Sequence, residues 1–94
     1  MDTSELLTDF VKSGSQRSFA ELVNRHINLV YASARRQVHG DAHLAEDVTQ
    51  AVFVILAKKA KSIRSGASLS GWLLTTVRYA SANALKIEAR RRRR

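Results

Sequence analysis

The chain has 94 residues, of which 45% are hydrophobic; it contains no cysteine and no proline, and its formal charge is +8 at pH 7. This length accommodates one small domain with a modest core, and the apolar content excludes a wholly disordered chain. Without cysteine, a disulfide framework and a thiolate metal site are excluded, and we expect a cytosolic protein. No apolar run approaches the ~20 residues of a membrane span, and the acidic amino end does not predict a cleaved signal.

The charge is divided unevenly along the chain. Residues 1–57 carry five Lys or Arg and seven Asp or Glu, whereas residues 58–94 carry eleven Lys or Arg and a single acidic residue, Glu88. A weakly acidic half joined to a strongly basic half predicts two contact surfaces, with the basic one for a polyanion. A solubilising basic tail is the alternative interpretation.

Helical periodicity predicts an all-α fold: a compact bundle of four helices with two long central helices. We expect residues 1–94 to form a single domain, with helices over about residues 3–13, 15–39, 41–62 and 69–90. The two central helices would each exceed 20 residues and reach about 33 Å at 1.5 Å per residue.

Residues at the predicted helix ends support these boundaries. Gly14 ends the first helix and Gly40 ends the second. Ser15 and Ser18 are both candidate caps for the second helix, because Ser18 and the residue three positions later have capping-box spacing. Asp41 caps the third helix, and the fourth begins near residue 68 or 70.

The second helix has an apolar face at helical spacing, and we expect this face to form much of the core. The face comprises Phe19, Leu22, Val23, Ile27, Val30, Ala34 and Val38. His26 lies in the middle of this face, where a hydrogen-bonded core histidine is the expected interpretation.

The third helix is apolar around more than half of its circumference, so we expect it to pack on two sides, with Ala51 and Ile55 in the buried arc. A polar stripe remains, and it contains His43, Glu46, Asp47, Gln50, Val54, Ala57, Lys58 and Lys61. Two acids, an amide and small apolar side chains suit a helix laid along a helix of a partner protein. A solvated face is the other interpretation.

Neither catalysis nor metal binding is predicted for this stripe. Glu46 and Asp47 are about 100° apart around the helix, so the two carboxylates do not converge on one atom, and no nucleophile lies beside a base. His39, His43 and Asp47 have a chelating spacing, but the break at Gly40 removes its geometric meaning. We therefore expect a protein that is not an enzyme and that needs no metal or cofactor.

The fourth helix carries a second stripe, on a different side from its core face. The stripe contains two aromatic residues, an amide and two cations: Trp72, Tyr79, Asn83, Lys86 and Arg90, with Thr76 beside them. Bases stack on aromatic rings, amides read base edges and cations hold phosphates, so this stripe predicts binding of unpaired nucleic acid. The alternatives are core aromatics with exposed polar atoms and, less well supported, a helix for a membrane surface.

These stripes lie in a sequence that resembles region 2 of bacterial sigma factors, in particular the extracytoplasmic-function (ECF) group of the sigma-70 family. The resemblance runs from about Phe19 to Arg94, and its specific parts are AEDVTQAVF at residues 45–53, GWL at residues 71–73 and the terminal arginine cluster. It implies a role in bacterial transcription initiation, with core RNA polymerase and promoter DNA as partners. An anti-sigma factor is a further candidate partner. We also expect a monomer and, because no apolar run is long enough to span a bilayer, no membrane association.

The resemblance implies a role for each stripe. The third helix would bind the clamp helices of the polymerase β′ subunit through Glu46, Asp47, Gln50, Val54 and Lys58. The segment from Arg64 to Ser70 would shape a pocket for a flipped base of the promoter −10 element, with Arg64, Ser65 and Ser68 as contacts. The melted non-template strand would then follow Trp72, Thr76, Tyr79, Asn83, Lys86, Arg90 and Arg91. The two stripes are expected to point in different directions.

The chain also departs from the family pattern. The residues after GWL are small and hydroxylic rather than bulky, and the arginine cluster is preceded by LKIEA. The −35-reading region 4 of ECF sigma factors is not in this sequence, so we expect an excised region 2 domain or a natural short form. The rival function is a non-catalytic helical interaction module with a basic tail that binds polyanions without specificity.

Overall fold

The computed structural model describes residues 1–64 and 68–93, and within them the chain is folded as an all-helical bundle without β-strands. The elements are α1 (Thr3–Ser13), α2 (Gln16–Gln37), α3 (Ala42–Lys59), a 3-10 turn (Ala60–Ser62) and α4 (Leu69–Arg92). The predicted all-α bundle of four helices is confirmed. The longest helices are α2 with 22 residues and α4 with 24, whereas α3 has 18 because the chain tightens into the 3-10 turn at Ala60.

Each helix begins at a side-chain cap. Asp2 and Glu5 form a reciprocal capping box at α1, and the Asp41 carboxylate accepts a hydrogen bond from the Leu44 N–H at 3.0 Å. Of the two candidate caps for α2, Ser15 is the one used, because its hydroxyl accepts from the N–H of Ser18. These contacts satisfy N–H groups that have no partner inside the helix.

The turn between α2 and α3 reverses the chain in three residues. Helix α2 ends at Gln37 with Val38 as its C-cap, and His39 and Gly40 then take left-handed backbone angles, with φ of 60° and 83°. The Gly40 N–H donates to the carbonyl of Arg35 at 2.8 Å, which closes the end of the helix. His39 therefore lies outside both helices, and the chelating spacing noted in the sequence does not lie on a continuous helix.

The core is formed mainly by α2, α3 and α4, with α2 packed against all three other helices. Helix α1 packs on α2 through Phe10 and Phe19, whose ring centroids are 4.8 Å apart and whose planes are tilted by 42°. The fully buried side chains include Leu22, Val30, Val48, Val52, Leu56, Leu73 and Val77. None of the described helices combines the length and hydropathy needed to span a membrane.

The buried face of α2 differs in part from its predicted composition. Ile27 was expected in the core, but its side chain is 39% exposed, and Ser18 and Ser33 are buried instead. His26 is buried as expected, and its Nδ1 lies 2.8 Å from the carbonyl of Leu22. The buried positions follow an i, i+4 ridge from residue 18 to residue 34, and this geometry outweighs the polarity of the individual residues.

Candidate functional site

The outer face of α3 is set by the way the helix buries its other side. Buried residues recur along one side of the helix, at Ala45, Val48, Thr49, Val52, Phe53 and Leu56, so the opposite side faces solvent. Every residue of the predicted polymerase-binding set is exposed: Glu46, Asp47, Gln50, Val54 and Lys58. Val54 is 52% exposed and adds an apolar side chain to this face. The face can therefore bury apolar area while charged and amide groups form polar contacts.

The buried side of α3 differs from the predicted arc at three positions. Thr49 is buried, and its hydroxyl donates to the carbonyl of Ala45 at 2.8 Å, so its polar atom is satisfied inside the helix. Ala51 was expected in the buried arc but is exposed, and Ile55 is half-buried. The spacing from Ala45 places Thr49 on the core side, and that spacing could have identified it despite its polarity.

The second predicted surface lies along α4. Tyr79 has 79% of its surface exposed, and Asn83, Lys86, Arg90 and Arg91 are also exposed. Trp72 is half-buried and packs against the core, so part of its ring area stabilises the fold. Thr76 is half-buried too, and its hydroxyl donates to the Trp72 carbonyl at 2.8 Å, which leaves its oxygen free to accept. The surface thus offers one fully accessible ring and one partly accessible ring.

The segment before α4 is described only at its two ends. Arg64 and Ser68 are exposed, and the Ser68 hydroxyl accepts from the N–H of Gly71 at 3.1 Å, as the cap of α4. Ser65 lies outside the described residues. The expectation of a base pocket shaped by Arg64 to Ser70 therefore remains a prediction.

The two surfaces adjoin along a groove between α3 and α4. The groove has a volume of about 320 Å³ and an apolar floor, and Asp47 of α3 and Tyr79 and Asn83 of α4 all line it. The two stripes were expected to point in different directions, and this is wrong along the groove. There α3 and α4 pack side by side, and Asp47 and Tyr79 line the same cleft. The rotation of one helix against the other sets this arrangement, and no single-helix pattern contains it.

The carboxyl end of α4 provides a concentrated positive charge. Within the described part of the chain, Arg92 forms the one ion pair of this end, with Glu88 at 3.8 Å, and the Arg92 side chain is 76% exposed. Lys86, Arg90 and Arg91 make no ion pair with a described residue. An exposed i, i+4 pair contributes little stability, so this charge remains available to an external anion.

The family model for sigma-70 region 2 matches residues 22–94. The chain belongs to the sigma-70 region 2 family. Neither the curated proteins nor the solved structures that were searched gave a match. The match covers α2 from Leu22 onward together with α3 and α4, the helices that carry most of the core and both predicted surfaces.

Membership of the sigma-70 region 2 family defines the general role of the domain. Domains of this family act in transcription initiation and promoter recognition; they bind core RNA polymerase and promoter DNA, and they are non-catalytic. No cluster of three or more His, Cys, Asp or Glu suited to a metal ion occurs among residues 1–64 and 68–93.

Proposed function

We propose that this chain is the region 2 domain of an ECF sigma factor, which binds the β′ clamp helices of core RNA polymerase through α3 and melts the promoter −10 element along α4. In this proposal residues 1–94 act as one monomeric domain in the cytoplasm, where the polymerase works. The observation that carries the proposal is the pair of adjoining exposed faces, one acidic and amide-containing, the other aromatic and cationic.

The chemistry of the α3 face supports the polymerase contact. Asp47 and Gln50 occupy its centre, Glu46 adds a second carboxylate, and the exposed Val54 gives apolar area to bury. A helix of the partner that lies along this face can place basic and amide groups against these side chains and cover Val54. Lys58 at the far end supplies a cation for an acidic residue of the partner.

The chemistry of the α4 face supports the hold on the non-template strand. Opening the −10 element and flipping a base costs a few kcal/mol. Each base that stacks on an aromatic ring contributes about 1–3 kcal/mol to binding, and Tyr79 and Trp72 provide two such rings. The cations that follow, Lys86, Arg90 and Arg91, are spaced along the same helix and can neutralise successive phosphates of the strand.

The rival function is the interaction module with non-specific polyanion binding. It shares the basic end of α4, but it gives no role to the α3 face and no preference for a base sequence. The groove favours the sigma-factor proposal, because it brings Asp47 beside Tyr79 and Asn83, so that a polymerase segment and a DNA strand would lie next to each other.

Binding to a β′ clamp-helix fragment tests the α3 face. The double variant Asp47→Ala/Gln50→Ala should lose binding at least tenfold, because two polar contacts at the centre of the interface are removed. The matched control is Glu21→Ala/Gln37→Ala, which also removes one carboxylate and one amide, but from exposed positions of α2. Equal binding by both double variants and the unaltered domain would remove the polymerase contact from α3.

Fluorescence anisotropy with single-stranded DNA, in the presence of core polymerase, tests the α4 face. A non-template −10 strand should bind more tightly than a scrambled strand of the same composition, and the preference should persist as salt rises. The rival function predicts equal affinity for the two strands and a steep, equal loss of affinity with salt.

A further inference from the structure

Glu88 is the one acidic residue among residues 58–94, and it lies in the last turns of α4 among the cations of the candidate DNA surface. The roles proposed for the α3 and α4 faces do not use it. Its side chain is 30% exposed, whereas that of Arg92, its ion-pair partner at 3.8 Å, is 76% exposed. Because packing restricts a half-buried side chain, this carboxylate stays close to α4 when an anion approaches.

Two depressions of the surface meet at Glu88. It lines the α3–α4 groove together with Asp47 and Arg91, and these three are the charged residues of the groove among those the structure describes. It also lines a cavity of about 530 Å³ beside the turn between α2 and α3, together with Asp41 and Arg92. Each depression contains two carboxylates and one guanidinium, so neither as a whole attracts a phosphate.

The cations Lys86 and Arg90 lie on the opposite side of α4. Each is two residues from Glu88, which corresponds to about 160° around a helix of 3.6 residues per turn. Both are exposed, and neither forms an ion pair with a described residue. These two cations are therefore available to phosphates on the outer side of α4, away from Glu88.

The groove side of α4 carries groups that suit bases better than phosphates. Tyr79 and Asn83 are exposed at the edge of the groove, and Ile87, which is 47% exposed, adds an apolar side chain there. Aromatic and apolar side chains contact the faces of bases, and an amide bonds to their edges. A carboxylate repels a phosphate but accepts hydrogen bonds from the N–H groups of a base. A strand with its bases toward the groove and its phosphates toward Lys86 and Arg90 matches both sides of the helix.

From this arrangement we propose that Glu88 is a specificity-determining residue of the strand-binding surface. Its carboxylate excludes phosphates from the groove side of α4, so that the strand binds with its bases toward the groove. A polyanion without bases gains nothing from this orientation, and it is denied the contact with Arg92 that it would otherwise make. Glu88 thereby lowers the affinity that comes from phosphates alone and leaves the base contacts in place, and specificity is such a difference between two affinities. This role rests on the proposed strand binding by α4 and is independent of the polymerase contact.

Fluorescence anisotropy of the intact domain tests this role with two labelled strands: the non-template −10 strand, and an abasic strand with the same number of phosphates. Glu88→Gln removes the charge and keeps the shape of the side chain. It should tighten binding of the abasic strand about two- to fivefold, the size of an interaction between exposed charges. The slope of log affinity against log salt for that strand should steepen by about 0.7, because Arg92 becomes free to bind one more phosphate. The −10 strand should gain less, because its phosphates already lie on the outer side, so the preference for the strand with bases should fall.

Glu21→Gln is the matched control. It also breaks a Glu–Arg pair four residues apart, with Arg25 at 3.2 Å, but on α2, and it should leave the preference unchanged. Glu88→Gln/Arg92→Ala should return the salt slope to that of the unaltered domain, and Glu88→Asp, which retains the charge, should retain the preference. Thermal unfolding shows whether each variant is folded, and the salt slope is a property that a change in stability alone does not move.

Three results would overturn the role of Glu88. The first is an equal gain for the two strands in Glu88→Gln, because the residue would then only set the net charge. The second is an equal effect of Glu88→Gln and Glu21→Gln on the abasic strand, and the third is equal affinity of the unaltered domain for the strands with and without bases. A failure of −10 recognition is a separate result: it appears as equal affinity for the −10 strand and a scrambled strand, and it leaves the comparison of strands with and without bases intact.

Discussion

Replacement of Tyr79 by alanine should weaken DNA binding with little effect on the stability of the fold. The Tyr79 side chain is the most exposed large apolar residue of the bundle, at 79%, and Ala80 and Ala84 beside it complete the core contact. Its removal takes little area out of the core, so the free energy of unfolding should change by no more than about 0.5 kcal/mol. Alanine is the better helix former, so any change in stability should be a small gain.

The effect on DNA binding should be far larger. A base stacked on an aromatic ring contributes about 1–3 kcal/mol, so Tyr79→Ala should weaken binding of the non-template −10 strand by about 5-fold to 150-fold. Tyr79→Phe keeps the ring and should retain most of the affinity. Leu29→Ala, which shortens an exposed apolar residue of α2, should have no effect on DNA binding.

Anisotropy with a labelled strand measures the affinity, and thermal unfolding followed by circular dichroism measures the stability of each variant. The reasoning fails if Tyr79→Ala binds the strand as tightly as the unaltered domain. It also fails if the variant loses several degrees of Tm, because the Tyr79 side chain would then contribute to the stability of the fold.

Three further predictions concern the stability of the bundle. The Ser81 hydroxyl is buried and has no hydrogen-bond partner among the described residues, so Ser81→Ala should raise the free energy of unfolding by about 1 kcal/mol. Thr49→Val removes a hydroxyl that is hydrogen-bonded and should lower it by about 0.5–1 kcal/mol. Denaturant titration measures both, and a loss of stability in Ser81→Ala would contradict the assignment. The hydrogen bond from Ser18 holds the pKa of Asp9 below its ordinary value, against an opposing effect of desolvation, with further lowering by Ser13 and Ser15. The folded state then binds this proton less readily than the unfolded state, so the contact stabilises the fold above the unfolded-state pKa and is lost as pH falls through the lower, folded-state pKa. Asp9→Asn should therefore flatten the fall of Tm below about pH 4, and an unchanged pH profile would exclude the contact as a source of acid sensitivity.

The ends of the helices were predictable because single residues determine them. Gly14 and Gly40 adopt left-handed backbone angles, and Asp41 caps α3 in the way its position before an apolar run predicts. The start of α2 was ambiguous because Ser15 and Ser18 both fit a capping pattern. In the structure Ser15 is the cap, and the Ser18 hydroxyl instead donates a hydrogen bond to Asp9 of α1, a contact that the sequence of α2 does not contain.

The contents of the core were less predictable than the helix ends. Thr49 and Ser33 are polar and yet buried, whereas Ile27 was expected inside and is partly exposed. A hydroxyl that bonds to a carbonyl of its own helix can be buried at little cost, so helical position outweighs residue type at such sites.

The exposure of the two candidate faces could be predicted from periodicity within each helix, because each helix has one core face. Their contact along the α3–α4 groove could not. It depends on which sides of the two helices meet, and this is set by the packing of both against α2. The cavity between α1 and the start of α4, which His26 also lines, could not be predicted either, because it exists only through the packing of these two elements.

The central claim is that the polymerase and the DNA strand bind adjoining but distinct faces of one bundle. An NMR titration of the labelled domain, first with the β′ clamp-helix fragment and then with the non-template −10 strand, tests it most directly. We predict that the fragment shifts the amides of the exposed α3 face, and that the strand then shifts those of α4 from Trp72 to Arg91, with both sets meeting at Asp47 and Asn83. Shifts from the fragment on α1 or the outer side of α2, with α3 unchanged, would contradict the account.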